Sequence, residues 1–200
     1  MRNPSTTIFN TPVLSRFFQL LARFFMRLTG WRVEGTLPEL PKFILIGAPH
    51  TSNWDFVLFL GIIFTLKANV KFMGKAELFR NPFGWFFYYC GGIPVDRKKS
   101  TGLVDQMVEA CNSTEQFILT IAPEGTRHHV SEWKRGFYHI AKGAGIPIVM
   151  AVVDGKKKVV RVGQVFQPTD NIEADMQTIQ GYFAGVTGIN PRRKYITLEK

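Results

Sequence analysis

Short apolar segments of two kinds alternate along most of this chain. From residue 42 onward, runs rich in β-branched and aromatic residues predict strands, and the segments between them show helical spacing. The predicted strands are residues 43–46, 70–73, 117–121, 146–153 and 159–162, and the predicted helices are residues 53–66, 103–110, 132–142 and 172–186. This alternation predicts an α/β fold with a largely parallel sheet flanked by helices, because parallel neighbours need crossover connections.

The size and composition of the chain narrow the possible classes of protein. With 200 residues, 46% of them apolar, the chain can bury a core of its own, which excludes an intrinsically disordered protein. Two cysteines, Cys90 and Cys111, are too few for a disulfide framework. We find no repeat or linker, and we therefore predict a helical segment over residues 1–32 followed by one domain over residues 33–200.

The net charge of +10 predicts an anionic partner, which could be nucleic acid, acidic lipid headgroups or a phosphorylated small molecule. Phenylalanine discriminates between them, because 14 of the 18 phenylalanines lie in the first 87 residues. A basic nucleic-acid module accounts for the charge but not for this apolar front. The distribution therefore favours a lipid partner over nucleic acid.

Residues 13–28 have the pattern of an amphipathic helix. Arg16, Arg23 and Arg27 fall within a wedge of roughly 40°, and most of the remaining circumference is apolar. Five arginines and no acidic residue precede Glu34. The pattern is typical of a helix that lies in a membrane interface, and the alternative is a helix that packs its apolar face on its own domain. The apolar run at residues 56–66 is too short to span a bilayer.

His50 and Asp55 lie where a predicted strand runs into a helix, and ligand sites of open α/β sheets cluster at that edge. Two interpretations are open. Asp55 could complete a capping box with Ser52 as N-cap, leaving His50 an ordinary loop histidine. Alternatively, the turn could bring His50 within reach of Asp55, which would orient the imidazole as a general base. The backbone amides near His50 are then candidate oxyanion donors.

Two further segments combine glycine and arginine with a short strand: in the first, paired glycines precede the strand and an arginine follows it, and in the second, a strand runs into a loop that contains both. Residues 91–97 read GGIPVDR and residues 121–127 read IAPEGTR. The planar guanidinium groups of Arg97 and Arg127 suit a phosphate ligand. Each segment alone is a weak signal, because glycine turns with a flanking charge are common.

Together, these segments form an ordered set. The histidine and aspartate spaced H-x4-D, then GGIPVDR, PEGTR and GIPIV, resemble the 1-acylglycerol-3-phosphate acyltransferase family of glycerolipid acyltransferases over about residues 40–155. The sequence departs from the family pattern at Pro94, Ala122 and Met150.

The resemblance implies roles for individual residues. His50 matches the family's catalytic base and Asp55 the acid that orients it, while the segment around Pro147 is associated with the acyl donor. Lys75 resembles a lysine that often precedes the second segment and is counted as substrate-binding. The positions implied to bind the glycerol phosphate of the acceptor are Arg97, Glu124, Gly125, Thr126 and Arg127.

The implied function is transfer of a fatty acyl group from acyl-CoA or acyl carrier protein to a lysophospholipid, with 1-acylglycerol-3-phosphate as the leading acceptor and phosphatidic acid as product. The expected location is peripheral or monotopic, on the cytoplasmic face of the inner (cell) membrane. The alternatives are another lysolipid acceptor, a non-catalytic membrane-binding module of the same fold, and a nucleic-acid binder. Residues 56–66 and 83–89 are candidate walls for the acyl chain, although core packing explains them equally well.

Metal and thiol chemistry are not expected. His128 and His129 are adjacent but lack two further ligands at suitable spacing, so we predict no metal site. Neither cysteine has a histidine nearby in the sequence, which makes an acyl-cysteine intermediate a minor alternative. Because a thioester is already activated, we predict no cofactor beyond the acyl-CoA or acyl carrier protein co-substrate.

Overall fold

A seven-stranded sheet organises the part of the chain that the structure, a computed structural model, describes: residues 7–80, 82–95, 102–128, 130 and 132–190. The strands are β1 (Arg32–Glu34), β2 (Lys42–Ala48), β3 (Lys71–Lys75), β4 (Gly92–Val95), β5 (Phe117–Ile121), β6 (Ile148–Asp154) and β7 (Val159–Phe166). The helices are α1 (Pro12–Thr29), α2 (Trp54–Leu66), α3 (Gly84–Tyr89), α4 (Leu103–Asn112), α5 (Gly136–Ala144) and α6 (Ile172–Tyr182), with a 3-10 turn over Ala76–Phe79.

The strand order is β1-β7-β6-β2-β5-β3-β4. Strands β6, β2, β5, β3 and β4 are parallel, whereas β7 runs antiparallel to β6 and pairs in parallel with β1. The predicted α/β fold with a largely parallel sheet is therefore confirmed. Strand β2 lies at the centre, between β5 and β6, so its carboxyl end is flanked on both sides by the ends of parallel neighbours.

Both faces of the sheet are covered, which explains why β2 is an unbroken apolar run. Ile44 and Ile46 contribute to a cluster with α4, α5 and α6. Phe43 and Leu45, which point the opposite way, contribute to a second cluster with α1 and α2. All four side chains are at most 4% exposed, so a substitution in β2 affects both layers.

Two predicted helices have different ends in the structure. The helix predicted at residues 132–142 begins four residues later, at Gly136, because the preceding backbone is committed elsewhere: the N–H of Lys134 donates to the carbonyl of Pro123 at 2.9 Å. The helix predicted at residues 172–186 ends at Tyr182, shortly before Gly185 adopts a left-handed φ of 73°. The apolar pattern extends beyond the ends of both helices because Trp133 and Val186, which lie outside them, are also buried in the core.

Helix α1 is close to the predicted segment and has clear boundary signals. Pro12 occupies its first turn, where a missing N–H costs nothing. Gly30 ends it in the left-handed conformation, and the N–H of Trp31 donates to the carbonyl of Met26 at 2.9 Å.

One face of α1 packs on the domain and the other does not. Ala22 and Met26 are buried, and the ring of Phe18 stacks on Phe64 of α2 with centroids 5.4 Å apart. The outer face of α1, as we call its exposed apolar residues, is 41–81% exposed and consists of Val13, Leu14, Phe17, Leu20, Leu21, Phe24 and Leu28. Arg16, Arg23 and Arg27 are also exposed. One face of the helix therefore packs on its own domain, as the alternative interpretation predicted, while an apolar face remains exposed.

None of the helices in the described ranges has both the length and the apolar character needed to cross a bilayer.

Candidate active site

The corner between β2 and α2 brings His50 and Asp55 together. Strand β2 ends at Ala48, which precedes a cis-proline, and α2 begins at Trp54. The Nδ1 atom of His50 lies 2.8 Å from Oδ2 of Asp55. The geometry therefore provides the imidazole–carboxylate contact that the second interpretation of this segment required.

Asp55 also organises the backbone of the corner. Its Oδ2 atom accepts hydrogen bonds from the N–H groups of Thr51, at 2.7 Å, and Ser52, at 2.8 Å. The capping interaction and the contact with His50 thus use the same carboxylate oxygen. Among the described residues, the buried Oδ1 atom of Asp55 has no hydrogen-bond partner, so Oδ2 accepts all of these bonds.

The hydrogen bonds of the predicted capping box between Ser52 and Asp55 form, although the start of α2 lies one residue later than that box implies. The N-cap is Asn53, and Ser52 accepts a hydrogen bond at Oγ from the N–H of Trp54 at 3.1 Å. The side chain of Asn53 makes no capping bond, so Ser52 Oγ and Asp55 Oδ2 provide the side-chain hydrogen bonds at the start of the helix.

The contact determines which nitrogen of His50 can accept a proton. A carboxylate can only accept, so the neutral imidazole carries its hydrogen on Nδ1 and presents a lone pair at Nε2. The side chain of His50 is 32% exposed and that of Asp55 is 13% exposed. A partly exposed base held by a mostly buried carboxylate is the arrangement that general-base catalysis needs.

Glu124 braces the same corner from the neighbouring strand. It follows β5, is 4% exposed, and accepts at Oε1 a hydrogen bond from the backbone N–H of His50 at 2.9 Å. The sequence predicted Glu124 as a ligand of the acceptor. The structure gives one of its oxygens to the backbone of the candidate base.

The rest of the third segment forms a tight loop after β5. Gly125 has a φ of 64°, which favours glycine, and its N–H donates to the carbonyl of Ala122 at 3.0 Å. Thr126 accepts at Oγ1 a hydrogen bond from the N–H of His128 at 3.3 Å, and the side chain of Arg127 is exposed. Because β5 is the neighbour of β2, this loop lies at the same sheet edge as His50.

Lys75 ends β3, the next strand along the sheet, and its Nζ atom lies 3.3 Å from Oε1 of Glu77. Arg97 follows β4 in the sequence and lies outside the described residues. Since β2, β5, β3 and β4 are parallel neighbours, their carboxyl ends share one edge. The topology thus gathers His50, Lys75 and the loop at residues 124–127 along that edge.

Three of the backbone amides near His50 are already engaged and are not available as oxyanion donors. The N–H of His50 donates to Glu124, and those of Thr51 and Ser52 donate to Asp55. All three point at protein carboxylates, so stabilisation of an oxyanion has to come from other donors.

Comparison with known proteins identifies the family. A family model described as acyltransferase matches residues 30–154, which is more than half of the chain and includes the β2–α2 corner and the loop after β5. The chain belongs to the acyltransferase family. The resemblance noted in the sequence is confirmed.

Two relatives of this acyltransferase are named 1-acyl-sn-glycerol-3-phosphate acyltransferase. It is 28% identical over 150 residues to a 1-acyl-sn-glycerol-3-phosphate acyltransferase of Streptococcus pneumoniae, covering 70% of this chain and 55% of the relative. It is 30% identical over 161 residues to the protein of that name from Haemophilus influenzae, covering 76% of this chain and 62% of the relative. The chain thus spans less than two thirds of the length of each.

A solved structure shows the same fold. The crystal structure of the 1-acyl-sn-glycerophosphate acyltransferase PlsC from Thermotoga maritima superposes with a TM-score of 0.63 at 17% identity, covering 85% of this acyltransferase and 76% of that chain. At this identity the likeness supports the fold of the acyltransferase and not its substrate.

The two cysteines of the acyltransferase are unsuited to nucleophilic chemistry. Both are fully buried, and burial raises the pKa of the Cys90 thiol to about 12. Burial also raises the pKa of Cys111, with the nearby Lys42 acting in the opposite direction. Thiols with raised pKa values stay protonated near neutral pH and are poor nucleophiles. Among the described residues there is no group of three or more potential metal ligands.

Sequence reasoning missed the contacts that hold the corner from a distance. Glu124 is 74 residues from His50, and Thr51 accepts at Oγ1 a hydrogen bond from the N–H of Asn190, 139 residues away, at 3.0 Å. No spacing or periodicity signal connects residues so far apart. The parallel strand order, which places β5 beside β2, is the only feature that could have suggested the first contact.

Proposed function

We propose that this protein transfers a fatty acyl group from a thioester donor to the hydroxyl of a lysophospholipid, with 1-acylglycerol-3-phosphate as the acceptor and phosphatidic acid as the product. The observation that carries the proposal is the 2.8 Å contact between His50 Nδ1 and Asp55 Oδ2 at the carboxyl end of β2. The names of the two relatives described above support the choice of acceptor.

In the proposed reaction, Nε2 of His50 removes the proton from the acceptor hydroxyl as its oxygen attacks the thioester carbonyl. Asp55 stabilises the imidazolium that forms. Collapse of the tetrahedral intermediate breaks the carbon–sulfur bond, and the proton on His50 passes to the departing thiolate. The products are an ester and a free thiol. No covalent intermediate on the protein and no metal is required, because the donor is already activated.

The acceptor phosphate is proposed to bind along the edge that follows β5, β3 and β4. Gly125 and Thr126 supply a tight loop there, and Arg127 supplies an exposed guanidinium group, which suits phosphate oxygens. Lys75 and Arg97 are proposed to add positive charge from the adjacent strands. Glu124 is proposed to support this site indirectly, because one of its carboxylate oxygens accepts a hydrogen bond from the backbone N–H of His50.

The acyl chain is proposed to lie against an aromatic layer beside the corner. The ring of Phe56, in the first turns of α2, contacts Phe72 with centroids 5.5 Å apart and Phe87 of α3 with centroids 5.9 Å apart. Phe59 contacts the same Phe72 ring at 5.9 Å. These rings begin one residue after Asp55, so a chain bound along them would start next to the reacting carbonyl.

The membrane surface is proposed as the partner that delivers these substrates. The outer face of α1 offers a continuous apolar surface with three exposed arginines beside it. Each basic residue near an anionic leaflet adds about 1 kcal/mol of attraction. We therefore propose peripheral or monotopic attachment through α1, on the cytoplasmic face of the inner membrane, with acyl-CoA or acyl carrier protein as the donor.

The test is a panel of lysolipid acceptors offered with acyl-CoA and with acyl carrier protein donors, with products identified by mass spectrometry. We expect phosphatidic acid from 1-acylglycerol-3-phosphate. Acylation of a different lysolipid alone would replace the acceptor while keeping the reaction. No product with any acceptor, from protein that binds vesicles, would favour a non-catalytic membrane module.

Nucleic acid is tested in the same preparation. Binding to unrelated oligonucleotides over a salt titration would show the steep salt dependence of phosphate contacts if the positive charge served that purpose. We expect no oligonucleotide binding at physiological salt.

A further inference from the structure

A short segment beyond the part of the chain matched by the family model crosses the sheet edge next to His50. We call residues 186–190 the crossing segment. Val186 is buried in the cluster formed with α4, α5 and α6, whereas Ile189 packs against the cluster formed with α1 and α2 on the opposite face. The backbone between them therefore passes from one face of the sheet to the other.

The crossing segment is fixed on one side by the end of β6. The N–H of Gly155, the residue after β6, donates to the carbonyl of Thr187 at 2.7 Å. A Cβ atom on Gly155 would collide with the carbonyl oxygen of Gly188. The two backbones are thus in direct contact, with no room for a side chain between them.

On its other side the crossing segment contacts the loop that contains His50. The N–H of Asn190 donates to Oγ1 of Thr51 at 3.0 Å. A Cβ atom on Gly188 would lie 2.5 Å from Thr51 Oγ1 and 3.2 Å from Cγ of Pro49. The φ of Gly188 is not in the left-handed region, so glycine is required here by the lack of space.

Thr51 connects this contact to the candidate catalytic pair. It is 3% exposed, it follows His50 directly, and its own N–H donates to Oδ2 of Asp55 at 2.7 Å. Glu124 holds the N–H of His50 from the β5 side. The loop is therefore held between β5 and the crossing segment, and a displacement of Thr51 would change the distance between Asp55 and the imidazole.

We propose that the crossing segment positions the His50–Asp55 pair, with Gly188 and Thr51 as its positioning residues. The inference rests on the proposed function. Both residues act through the loop and not on the substrate. Shifts of about 1 Å at a catalytic group can cost about 10²-fold in rate, so a contact this tight next to the base is expected to affect turnover.

The decisive variant is Gly188→Ala in the full chain. The added methyl group pushes Thr51 away, and we expect kcat to fall about 10- to 100-fold while KM for the acceptor stays close to that of the unmodified protein. Gly181→Ala is the matched control, because Gly181 has open space around a Cβ atom and lies near the end of α6. We expect the control to keep full activity.

A second pair of variants covers the case in which Gly188→Ala does not fold. Thr51→Val removes the acceptor of the Asn190 N–H but keeps the shape of the side chain, and Thr51→Ser keeps the acceptor oxygen. We expect a lower kcat for the valine variant and near-normal kcat for the serine variant. Equal activity of the two, or unchanged kcat in folded Gly188→Ala, would overturn the proposal.

A spectroscopic measurement separates this proposal from the proposed function. Nitrogen-15 NMR of the His50 ring, assigned with His50→Gln, reports which nitrogen bears the hydrogen. We expect the Nδ1–H tautomer in the unmodified protein and in Gly181→Ala, and a mixture of tautomers in Gly188→Ala as the contact with Asp55 loosens. An unchanged tautomer in folded Gly188→Ala would overturn the positioning role, whereas absent acyl transfer in the unmodified protein would overturn only the proposed reaction.

Discussion

The β2–α2 corner and the outer face of α1 are built in opposite ways. At the corner, Asp55, Glu124 and the crossing segment all contact the loop that contains His50. On the outer face of α1, seven large apolar side chains are exposed. The corner is held in place by the protein's own contacts, whereas the outer face of α1 is an exposed apolar surface of the kind that a binding partner covers. The difference suggests that chemistry and location reside in separate regions, which substitutions can affect independently.

The largest expected effect is on the corner. In His50→Ala, loss of the general base should reduce acyl transfer by about 10²- to 10⁴-fold, with the circular dichroism spectrum and vesicle binding unchanged. His139→Ala, at an exposed histidine on α5, is the matched control and should remain active. Retention of a tenth or more of the activity by purified His50→Ala would remove His50 as the base.

The second prediction concerns the outer face of α1. Replacing Phe17, Leu20 and Phe24 together by serine should weaken co-sedimentation with phosphatidylglycerol vesicles by about 10²-fold, if each partly inserted side chain contributes about 1 kcal/mol. Turnover of acyl-CoA with a detergent-dispersed acceptor should stay near normal. Leu40→Ser, at another exposed apolar residue, is the control. If the triple variant bound vesicles as well as the unmodified protein does, the outer face of α1 would not be the membrane-binding region.

A smaller effect is expected from the arginines beside that face. Arg23→Gln should weaken binding to anionic vesicles about fivefold at low salt, which corresponds to about 1 kcal/mol for one charge. The difference should shrink as salt is added, because exposed charges are screened. A loss that is the same with uncharged phosphatidylcholine vesicles would contradict an electrostatic role.

The smallest effect on acyl transfer and on vesicle binding is expected from substitutions in a third region, around Asp175 of α6. Burial would raise the pKa of Asp175, but hydrogen bonds from the N–H of Thr169, at 2.6 Å, and the hydroxyl of Tyr138, at 2.8 Å, outweigh it and hold that pKa below its usual value. The ionised carboxylate therefore stabilises the fold above the ordinary pKa of about 3.9, and this stabilisation is lost as pH falls through the lowered pKa.

In Asp175→Asn, we expect the free energy of unfolding at pH 7 to fall by about 1–3 kcal/mol, with kcat and vesicle binding unchanged. The difference from the unmodified protein should narrow below about pH 4. Urea unfolding at pH 7 and at several acidic pH values measures both. A difference that stays constant down to pH 3 would show that ionisation of Asp175 does not contribute.

The parts of the molecule that sequence predicted are those encoded locally. The helix containing Arg16, Arg23 and Arg27 follows from spacing within 16 residues, and the contact between His50 and Asp55 is one of the two interpretations that a five-residue step at a strand–helix corner allows. Helix α3, with six residues, and β1, with three, were missed because such short elements depend on their neighbours. Strand β1, for instance, exists through its pairing with β7.

The supports of the candidate site could not be predicted for a related reason. The hydrogen bond from His50 to Glu124 requires β5 to lie beside β2, and the bond from Asn190 to Thr51 requires the chain to return to that edge after α6. Both depend on the tertiary arrangement of strands. Sequence therefore predicted the candidate catalytic pair but not the contacts that hold it in place.

The packing of α1 determines how the exposed apolar surface of the protein can be reduced by engineering. Truncation of the helix would remove Met26 from the cluster it shares with α2 and uncover the ring of Phe64 on α2, which would expose a new apolar surface on the remaining domain. Redesign of the outward residues to polar ones, with the inward ones retained, is the safer engineering route. The helix serves as part of the core and as a surface at once, so only its exterior is open to modification.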